Sequence, residues 1–350
     1  MAKVYKDYFD IGHMIETAMN EHICFVIAVS ADAERGAGKT YSSAKWLYEH
    51  AVKGERFMIF VRNVKELGRI SEGIFGNYLA DNHPEVTVYE KKQDNVFSYV
   101  FASSGSGDEK SNELLGFVAA LKNAAQIKQY RGIFQAANVR FFYMDEFMPL
   151  DGRYLPNETR LMKTIYDTVN GKIEDLPIIM TANCLSVGNP YMTMLKLNGK
   201  LQTSTRKLKT ETCVYENVTV EGLASKHMNS AANKAFGQDN DEYLNNMWVM
   251  DNNSLVCKPE NWGRAIYVCT LAYDNKLYGV HAYYGSNYFY ISTTVDKHCE
   301  YTYNVKIEGD LNIPLLKSAP LLKQLRDNFY KGNIRVSNGE IQRMLIEIFG

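Results

Sequence analysis

The feature that most constrains the fold is the segment AERGAGKT at residues 33–40, which lies between an apolar stretch and a helical one. The stretch before it, HICFVIAVS at 22–30, is short and almost continuously apolar, which is typical of a strand buried on both faces. Residues 40–52 have apolar side chains at helical spacing, and 56–62 predict a second buried strand. Strand, loop, helix and strand in this order form a βαβ unit, which predicts a parallel sheet.

The segment matches the phosphate-binding loop pattern G-x-x-x-x-G-K-[ST] except at its first position, where Ala33 replaces glycine. Such a loop binds phosphates because successive backbone N–H groups converge at a helix N-terminus. Gly36 and Gly38 permit the close approach, Lys39 is expected to contact the β- and γ-phosphates, and the Thr40 hydroxyl is expected to hold Mg²⁺. The alternative is a glycine-rich turn without function. The predicted nucleotide-binding residues are Ala33, Glu34, Arg35, Gly36, Ala37, Gly38, Lys39 and Thr40.

A second motif, FFYMDE at 141–146, consists of apolar residues followed by two carboxylates, as in a Walker B strand. We expect Asp145 to organise Mg²⁺ and Glu146 to polarise the attacking water as a general base. The alternative is that these acids cap a following helix. A glutamate directly after the aspartate indicates the branch of P-loop ATPases that has an additional strand between the phosphate-loop strand and the Walker B strand.

The segment LPIIMTAN at 176–183 predicts that additional strand, with Asn183 at its tip in a position to sense the γ-phosphate. The alternative for Asn183 is a turn former. Phosphoryl transfer also needs positive charge in the transition state. Arg35 could supply it in cis, and Arg131 could supply it in trans from a neighbouring subunit; either could instead be a solvated surface arginine.

The rest of the chain has weaker patterns. Residues 86–103 predict a hairpin that turns near 93–95, and 103–112 predict a polar loop. Residues 157–171 predict a helix with Asn157 as its N-cap. Residues 264–295 alternate like a three-stranded antiparallel meander, and two helices are predicted after it.

Composition limits the kinds of partner. The 350 residues have a formal net charge of −1, which excludes a strongly basic coat for nucleic acid but permits a local basic lining. No stretch approaches the ~20 apolar residues of a membrane span, and the N-terminus lacks the apolar core of a signal peptide. The sequence therefore predicts no association with a membrane.

Taken together, the motifs resemble those of the DNA-packaging motor ATPases of phi29-like bacteriophages, which are relatives of the large terminase subunits. The segments that carry the resemblance are AERGAGKT, IFVRNVKELGRI (59–70), FFYMDEF (141–147), YLPNETRLMKTIYDTV (154–169) and TANCLSVGNPY (181–191). The chain departs from related proteins at NGKIED (170–175), where they carry an arginine-rich segment. This departure leaves the identity of a trans-acting arginine open.

The resemblance implies ATP and Mg²⁺ as cofactors and a homopentameric ring at the portal vertex of an empty capsid. ATP hydrolysis in that ring would thread double-stranded DNA inward. The expected location is the host cytoplasm, with transient attachment to the viral procapsid and its portal. The resemblance also implies an α/β fold class with two domains. A P-loop ATPase domain with a RecA-like sheet is expected at 1–205, a linker or small subdomain at 206–245, and a smaller RNase H-like α+β domain at 246–350.

The C-terminal region resembles the nuclease domain of terminases, but a two-metal nuclease needs several converging carboxylates. The first central strand, 264–273, contains none; Asp274 lies in a predicted turn, and Asp296 and Glu300 are isolated. We therefore expect a vestigial nuclease domain that docks onto the portal or contacts DNA and does not cut it.

A translocase must ignore base sequence, so its DNA contacts should be to phosphates. The candidates are four basic residues near the ends of predicted elements, each of which could equally be a solvated side chain: Lys65, Arg69, Lys122 and Lys128. Two other functions stay open: a terminase that also cuts DNA, and an ATP-dependent clamp or switch. The missing carboxylate cluster argues against the first, and the Asp145–Glu146 pair argues against the second, because a switch gains nothing from a built-in base.

Overall fold

The computed structural model divides the chain into two units, Met1–Met250 and Asp251–Gly350. The residues that the structure describes are 9–30, 37–105, 111–149, 154–171, 175–183, 189–197, 200–201, 205–218, 220, 255–259, 262–273, 276–283, 288–306, 310 and 312–349.

The first unit is built on one nine-stranded sheet. In chain order its strands are β1 (Phe25–Val29), β2 (Arg56–Val61), β3 (Thr87–Gln93), β4 (Phe97–Ser104), β5 (Ser111–Ala120), β6 (Val139–Met144), β7 (Ile178–Ala182), β8 (Lys207–Lys209) and β9 (Cys213–Asn217). Across the sheet they follow the order β3-β4-β5-β2-β6-β7-β1-β9-β8. The six strands from β5 to β9 in that order are mutually parallel, and β3, β4 and β8 pair antiparallel at the two sides.

Helices cover both faces of this sheet, so its central strands are apolar on both sides. They are α1 (Gly12–Asn20), α2 (Lys39–Ala51), α3 (Ile70–Asn82), α4 (Ala124–Ile127), α5 (Arg131–Ala136), α6 (Glu158–Asn170) and α7 (Pro190–Met194). Helices α1 to α3 pack with Val26 and Ala28 of β1 on one face, whereas α4 to α7 pack with Ile27 and Val29 on the other. Within the described residues, no helix has the length and apolar character needed to cross a membrane.

The expected βαβ arrangement is present in this unit. The stretch before α2 is strand β1, and β2 lies parallel to β6 in the same sheet. Strand β7 pairs with β6 on one side and with β1 on the other, so the additional strand lies where the sequence predicts it. The hairpin β3–β4 also forms as predicted, with Gln93 paired to Phe97 next to its turn.

Three details differ from the sequence-based expectations. Strand β5 was not predicted: its first three residues are exposed and polar, and only its last six residues are buried. The predicted linker at 206–245 begins too early, because β8 and β9 belong to the large sheet and β9 pairs in parallel with β1. Glu216 gives the sequence of β9 a polar character, but its carboxylate is buried and forms an ion pair with Lys207 at 3.0 Å. Finally, Asn157 precedes α6 in a left-handed conformation and makes no side-chain capping bond.

The second unit contains a five-stranded sheet and two helices. Its elements are β10 (Ala265–Tyr273), β11 (Lys276–Tyr283), β12 (Tyr288–Ser292), β13 (Thr302–Asn304), β14 (Ile334–Val336), α8 (Leu321–Tyr330) and α9 (Gly339–Phe349). Strands β10 to β12 form the predicted antiparallel meander, and the short strands β13 and β14 extend it in parallel on either side. Residues of α8 and α9 pack with the strands in one apolar core.

Candidate functional site: a lysine, two carboxylates and an amide

The described part of the glycine-rich segment leads directly into α2. Gly38 has φ +88°, a left-handed conformation that suits glycine, and the helix begins at Lys39. The Lys39 side chain is buried, and its Nζ donates to Ser30 Oγ at 2.6 Å and to Asn183 Oδ1 at 2.9 Å. The lysine ammonium is therefore held between the carboxyl ends of β1 and β7. The other predicted loop residues, Ala33, Glu34, Arg35 and Gly36, lie outside the described residues.

Asp145 comes directly after β6 and faces the first turn of α2. Thr40 Oγ1 donates to Asp145 Oδ2 at 3.1 Å. The other carboxylate oxygen, Oδ1, accepts from Thr181 Oγ1 at 2.5 Å and from the backbone N–H of Glu146 at 3.1 Å. Because a threonine has one hydroxyl proton, Thr181 in turn accepts from Tyr143, whose hydroxyl lies 3.1 Å away. Asp145 is thus fixed by two neighbouring strands and by the start of α2.

Glu146 occupies an unusual backbone conformation next to Asp145. Its φ is +46°, which is uncommon for a residue other than glycine. Its Oε1 accepts from Asn183 Nδ2, and its Oε2 is buried with no hydrogen-bond partner in the described part of the chain. Burial raises the pKa of Glu146 above its ordinary value, and the nearby Asp145 raises it further, whereas Lys39 and Asn183 oppose the shift. A carboxylate with a raised pKa and an unpaired oxygen can act as a general base.

Arg62, which was not predicted as a site residue, holds the backbone of this carboxylate segment. Arg62 lies just after β2, and its Nη1 donates to the carbonyl oxygen of Glu146 at 3.0 Å. Its Nη2 donates to the carbonyl oxygen of Phe147 at 2.5 Å. The guanidinium also forms a two-pronged ion pair with the buried Glu158. A charged residue directly after an apolar strand was the signal that could have identified Arg62.

The predicted trans-acting arginine, Arg131, is exposed at the first residue of α5. The residue before it, Tyr130, donates to Asp94 at the β3–β4 turn, 2.8 Å away. Within the described residues of one chain, Arg131 makes no hydrogen bond or ion pair with Lys39, Asp145 or Glu146. The structure of one chain therefore does not bring Arg131 to this cluster, and a role in trans stays a prediction.

The four candidate DNA contacts are all exposed. Lys65 and Arg69 follow β2, and Lys122 follows β5, the neighbouring parallel strand. Since Val61 pairs with Ala120 at the ends of these strands, the three residues come from adjacent connections at one edge of the sheet. Lys128 begins a separate turn farther along the chain.

Known proteins share sequence similarity and fold with this chain. The profile of the podovirus DNA encapsidation protein (Gp16) family matches residues 8–350. The chain belongs to this family. It is 25% identical to the DNA packaging protein of Bacillus phage phi29 over 331 residues, which are 90% of this chain and 91% of that protein. It is 26% identical to the DNA packaging protein of Bacillus phage B103 over 330 residues, 90% of this chain and 94% of that protein.

Among solved structures, the fold is similar to a chain of the bacteriophage Phi-29 viral genome packaging motor assembly. The TM-score is 0.66 at 20% sequence identity, and the match covers 98% of both chains. A similar chain in the Phi-28 gp11 DNA packaging motor gives a TM-score of 0.60 at 16% identity. These likenesses extend over both units and show that the chain has the same fold.

Proposed function

We propose that this chain hydrolyses ATP to move double-stranded DNA into a preformed capsid, as one subunit of a ring at the portal vertex. The observation that carries the proposal is the convergence of Lys39, Thr40, Asp145, Glu146 and Asn183 at the carboxyl edge of one parallel sheet. These side chains come from the start of α2 and from the ends of β6 and β7, and a phosphoryl-transfer site needs their chemistry together. The family membership and the names of the relatives support DNA packaging as the purpose of that chemistry.

The donor set fits a magnesium ion shared with phosphates. Mg²⁺ keeps several waters and is usually held by one or two carboxylates together with phosphate oxygens. Thr40 and Asp145 offer one hydroxyl and one carboxylate, whose oxygens are 3.1 Å apart. A bound Mg²⁺ would neutralise charge that develops on the phosphates. No group of three or more His, Cys, Asp or Glu side chains suited to an all-protein metal site occurs in the described ranges.

Each residue of the cluster has a defined task in this proposal. Lys39 binds the β- and γ-phosphate oxygens, with the backbone N–H groups of residues 33–40 around them. Glu146 accepts a proton from water as the water oxygen bonds to the γ-phosphorus and the bond to the β–γ bridging oxygen breaks. Asn183 contacts both Lys39 and Glu146, so it can report the presence of the γ-phosphate. Arg35 in cis and Arg131 from a neighbouring subunit stabilise the transferring phosphoryl group.

The rest of the chain is proposed to serve the DNA and the capsid. Lys65, Arg69, Lys122 and Lys128 contact DNA phosphates and so bind without regard to sequence. We propose a pentameric ring that assembles in the host cytoplasm and attaches transiently to the procapsid portal. The unit Asp251–Gly350 is proposed to be an RNase H-like scaffold without nuclease activity, following a P-loop ATPase unit.

The decisive experiment is steady-state ATP hydrolysis by the full chain, with and without long duplex DNA. The parent should hydrolyse ATP faster when duplex DNA is present, whereas Glu146→Gln should still bind nucleotide but lose turnover. Lys39→Ala should lose nucleotide binding. An ATP hydrolysis rate that is the same with and without DNA would favour the clamp or switch. Magnesium-dependent cleavage of the DNA by the same preparation would favour an active terminase. Equal turnover by Glu146→Gln and the parent would refute the assignment of the base.

A further inference from the structure

Glu158 lies at the centre of a buried network behind the carboxylate pair. It is the first residue of α6, its side chain is fully buried, and both of its carboxylate oxygens are bonded. Its Oε1 accepts from Tyr191 Oη at 2.7 Å and from Arg62 Nη2 at 2.9 Å. Its Oε2 accepts from the Leu155 backbone N–H at 2.8 Å and from Arg62 Nε at 3.1 Å.

This ion pair leaves the outer N–H groups of Arg62 directed at the main chain after β6. A guanidinium is a rigid planar fork, so a partner that binds one side of it also sets where the other side points. Arg62 uses the remaining side for the carbonyl oxygens of Glu146 and Phe147. The Phe147 backbone N–H donates to Thr181 O at 3.1 Å, so this peptide segment is held from the β2 side and the β7 side at once.

The network acts on the backbone of Glu146, which has φ +46°. A residue other than glycine keeps such a conformation only where its surroundings impose it. Arg62 bonds to the carbonyl oxygen of this residue and of the next one, and those bonds hold the peptide in the orientation from which the Glu146 side chain reaches Asn183.

Tyr191 connects the same network to the segment after β7. Asn189 caps the start of α7 by accepting from the backbone N–H groups of Tyr191 and Met192, and Pro190 occupies the first helical turn. This cap fixes the position of Tyr191, whose side chain is completely buried and whose ring packs edge-on against Phe147 at 5.6 Å. Glu158, Asn189, Pro190 and Tyr191 all belong to the segments that carry the family resemblance, and this network gives them a physical role.

We propose that Glu158 and Tyr191 are positioning residues for hydrolysis: they orient Arg62, and Arg62 holds the backbone of Glu146 so that its carboxylate faces the attacking water. This inference rests on the proposed ATPase function. It assigns no contact with nucleotide to Glu158 or Tyr191, so their loss should lower turnover and leave nucleotide affinity unchanged. A group held about 1 Å out of place can cost on the order of a hundredfold in rate.

The test compares Glu158→Gln and Tyr191→Phe with the parent chain in ATP hydrolysis and in equilibrium binding of a fluorescent ATP analogue. We expect kcat to fall about tenfold to a hundredfold in Glu158→Gln and by a smaller factor in Tyr191→Phe, with the dissociation constant within about twofold of the parent in both. Tyr191→Phe keeps the Arg62–Glu158 ion pair and decides the question if Glu158→Gln fails to fold. Tyr166→Phe is the matched control. Tyr166 lies on α6, the helix that begins with Glu158, and its hydroxyl bonds to the Leu176 backbone, so kcat of this variant should equal that of the parent.

A double-mutant comparison separates positioning from general loss of structure. If Glu158 acts through Glu146, adding Glu158→Gln to Glu146→Gln should not reduce the residual single-turnover rate any further. Multiplicative losses, or parent-like kcat in both Glu158→Gln and Tyr191→Phe, would overturn the inference while leaving the ATPase assignment intact. A parent chain that does not hydrolyse ATP would instead overturn the proposed function itself.

Discussion

Lys39 and Glu146 are joined through a single side chain, the amide of Asn183. The amide oxygen accepts from the Lys39 ammonium at 2.9 Å, and the amide nitrogen donates to the Glu146 carboxylate. The residue that is expected to bind the γ-phosphate and the residue expected to activate water therefore share one partner. A change in the contacts of Lys39 can therefore alter the orientation of Glu146 through Asn183 alone.

The first prediction concerns this amide. Asn183→Ala removes both bonds and leaves the Glu146 carboxylate without its orienting donor, so we expect kcat for ATP hydrolysis to fall by about tenfold or more. Asn183→Asp should be at least as harmful, because it replaces the donor to Glu146 with a second acceptor of the same charge. Steady-state hydrolysis assays check both variants; parent-like kcat in Asn183→Ala would contradict the role of the amide.

The second prediction is a pH dependence of stability from Glu146. Burial, together with Asp145, raises the pKa of Glu146 in the folded chain above its ordinary value of 4.5. The folded state therefore disfavours the ionised form of Glu146. The resulting loss of stability is absent below the pKa of the unfolded chain. It grows as the pH rises through the pKa of the folded chain and reaches its full size above that value. Glu146→Gln removes the buried charge, so its melting temperature should exceed that of the parent at neutral pH.

Thermal unfolding in a metal chelator checks this sign, with melting curves recorded at pH 7.5 and at steps down to about pH 4.5. The advantage of Glu146→Gln should shrink steadily as the pH falls, because the parent then protonates. An advantage of the same size at every pH would show that it arises from packing and not from the buried charge.

Much of the site was predictable because its residues lie just beyond strongly apolar strands. Asp145 and Asn183 directly follow β6 and β7, and Lys39 begins the helix that comes after β1. The carboxyl ends of parallel strands meet at one edge of a sheet. The order of those strands followed from the adjacent glutamate in the Asp145–Glu146 pair, which indicated an additional strand between the other two.

The parts that sequence did not reveal depend on partners distant in the chain. Arg62 and Glu158 are 96 positions apart, and neither residue alone distinguishes a buried ion pair from two solvated charges. The same is true of Glu216, whose burial depends on His13 and Lys207. Strand β5 has a weak sequence signal because its first three residues are polar and exposed, so the strand has no continuous apolar pattern.

The third prediction tests the packing between β2 and β5. A Cβ added at Gly116 would lie 2.4 Å from the carbonyl oxygen of Phe57, so the two strands would have to separate. We expect Gly116→Ala to destabilise the chain by about 1–3 kcal/mol. Gly76, inside α3, has nothing within 4 Å of an added Cβ, and Gly76→Ala should stabilise by about 0.4–1 kcal/mol. Chemical denaturation of both variants checks the pair, and equal effects on the free energy of unfolding would contradict the close approach of these strands.

The fourth prediction concerns DNA binding at the edge formed by β2 and β5. Lys65, Arg69 and Lys122 lie in adjacent connections there, all exposed, and a phosphate contact by each releases a counterion when duplex DNA binds. Each alanine substitution should therefore reduce the slope of log K against log salt by about 0.9, with similar losses of affinity on duplexes of unrelated sequence.

Lys53→Ala is the matched control, since this exposed lysine follows α2 and lies next to the amino-terminal end of β2. Titrations of labelled duplex at four salt concentrations measure the slopes. An unchanged slope in all three variants, or an equal change in Lys53→Ala, would show that this edge of the sheet does not follow the DNA backbone and that the basic lining lies elsewhere.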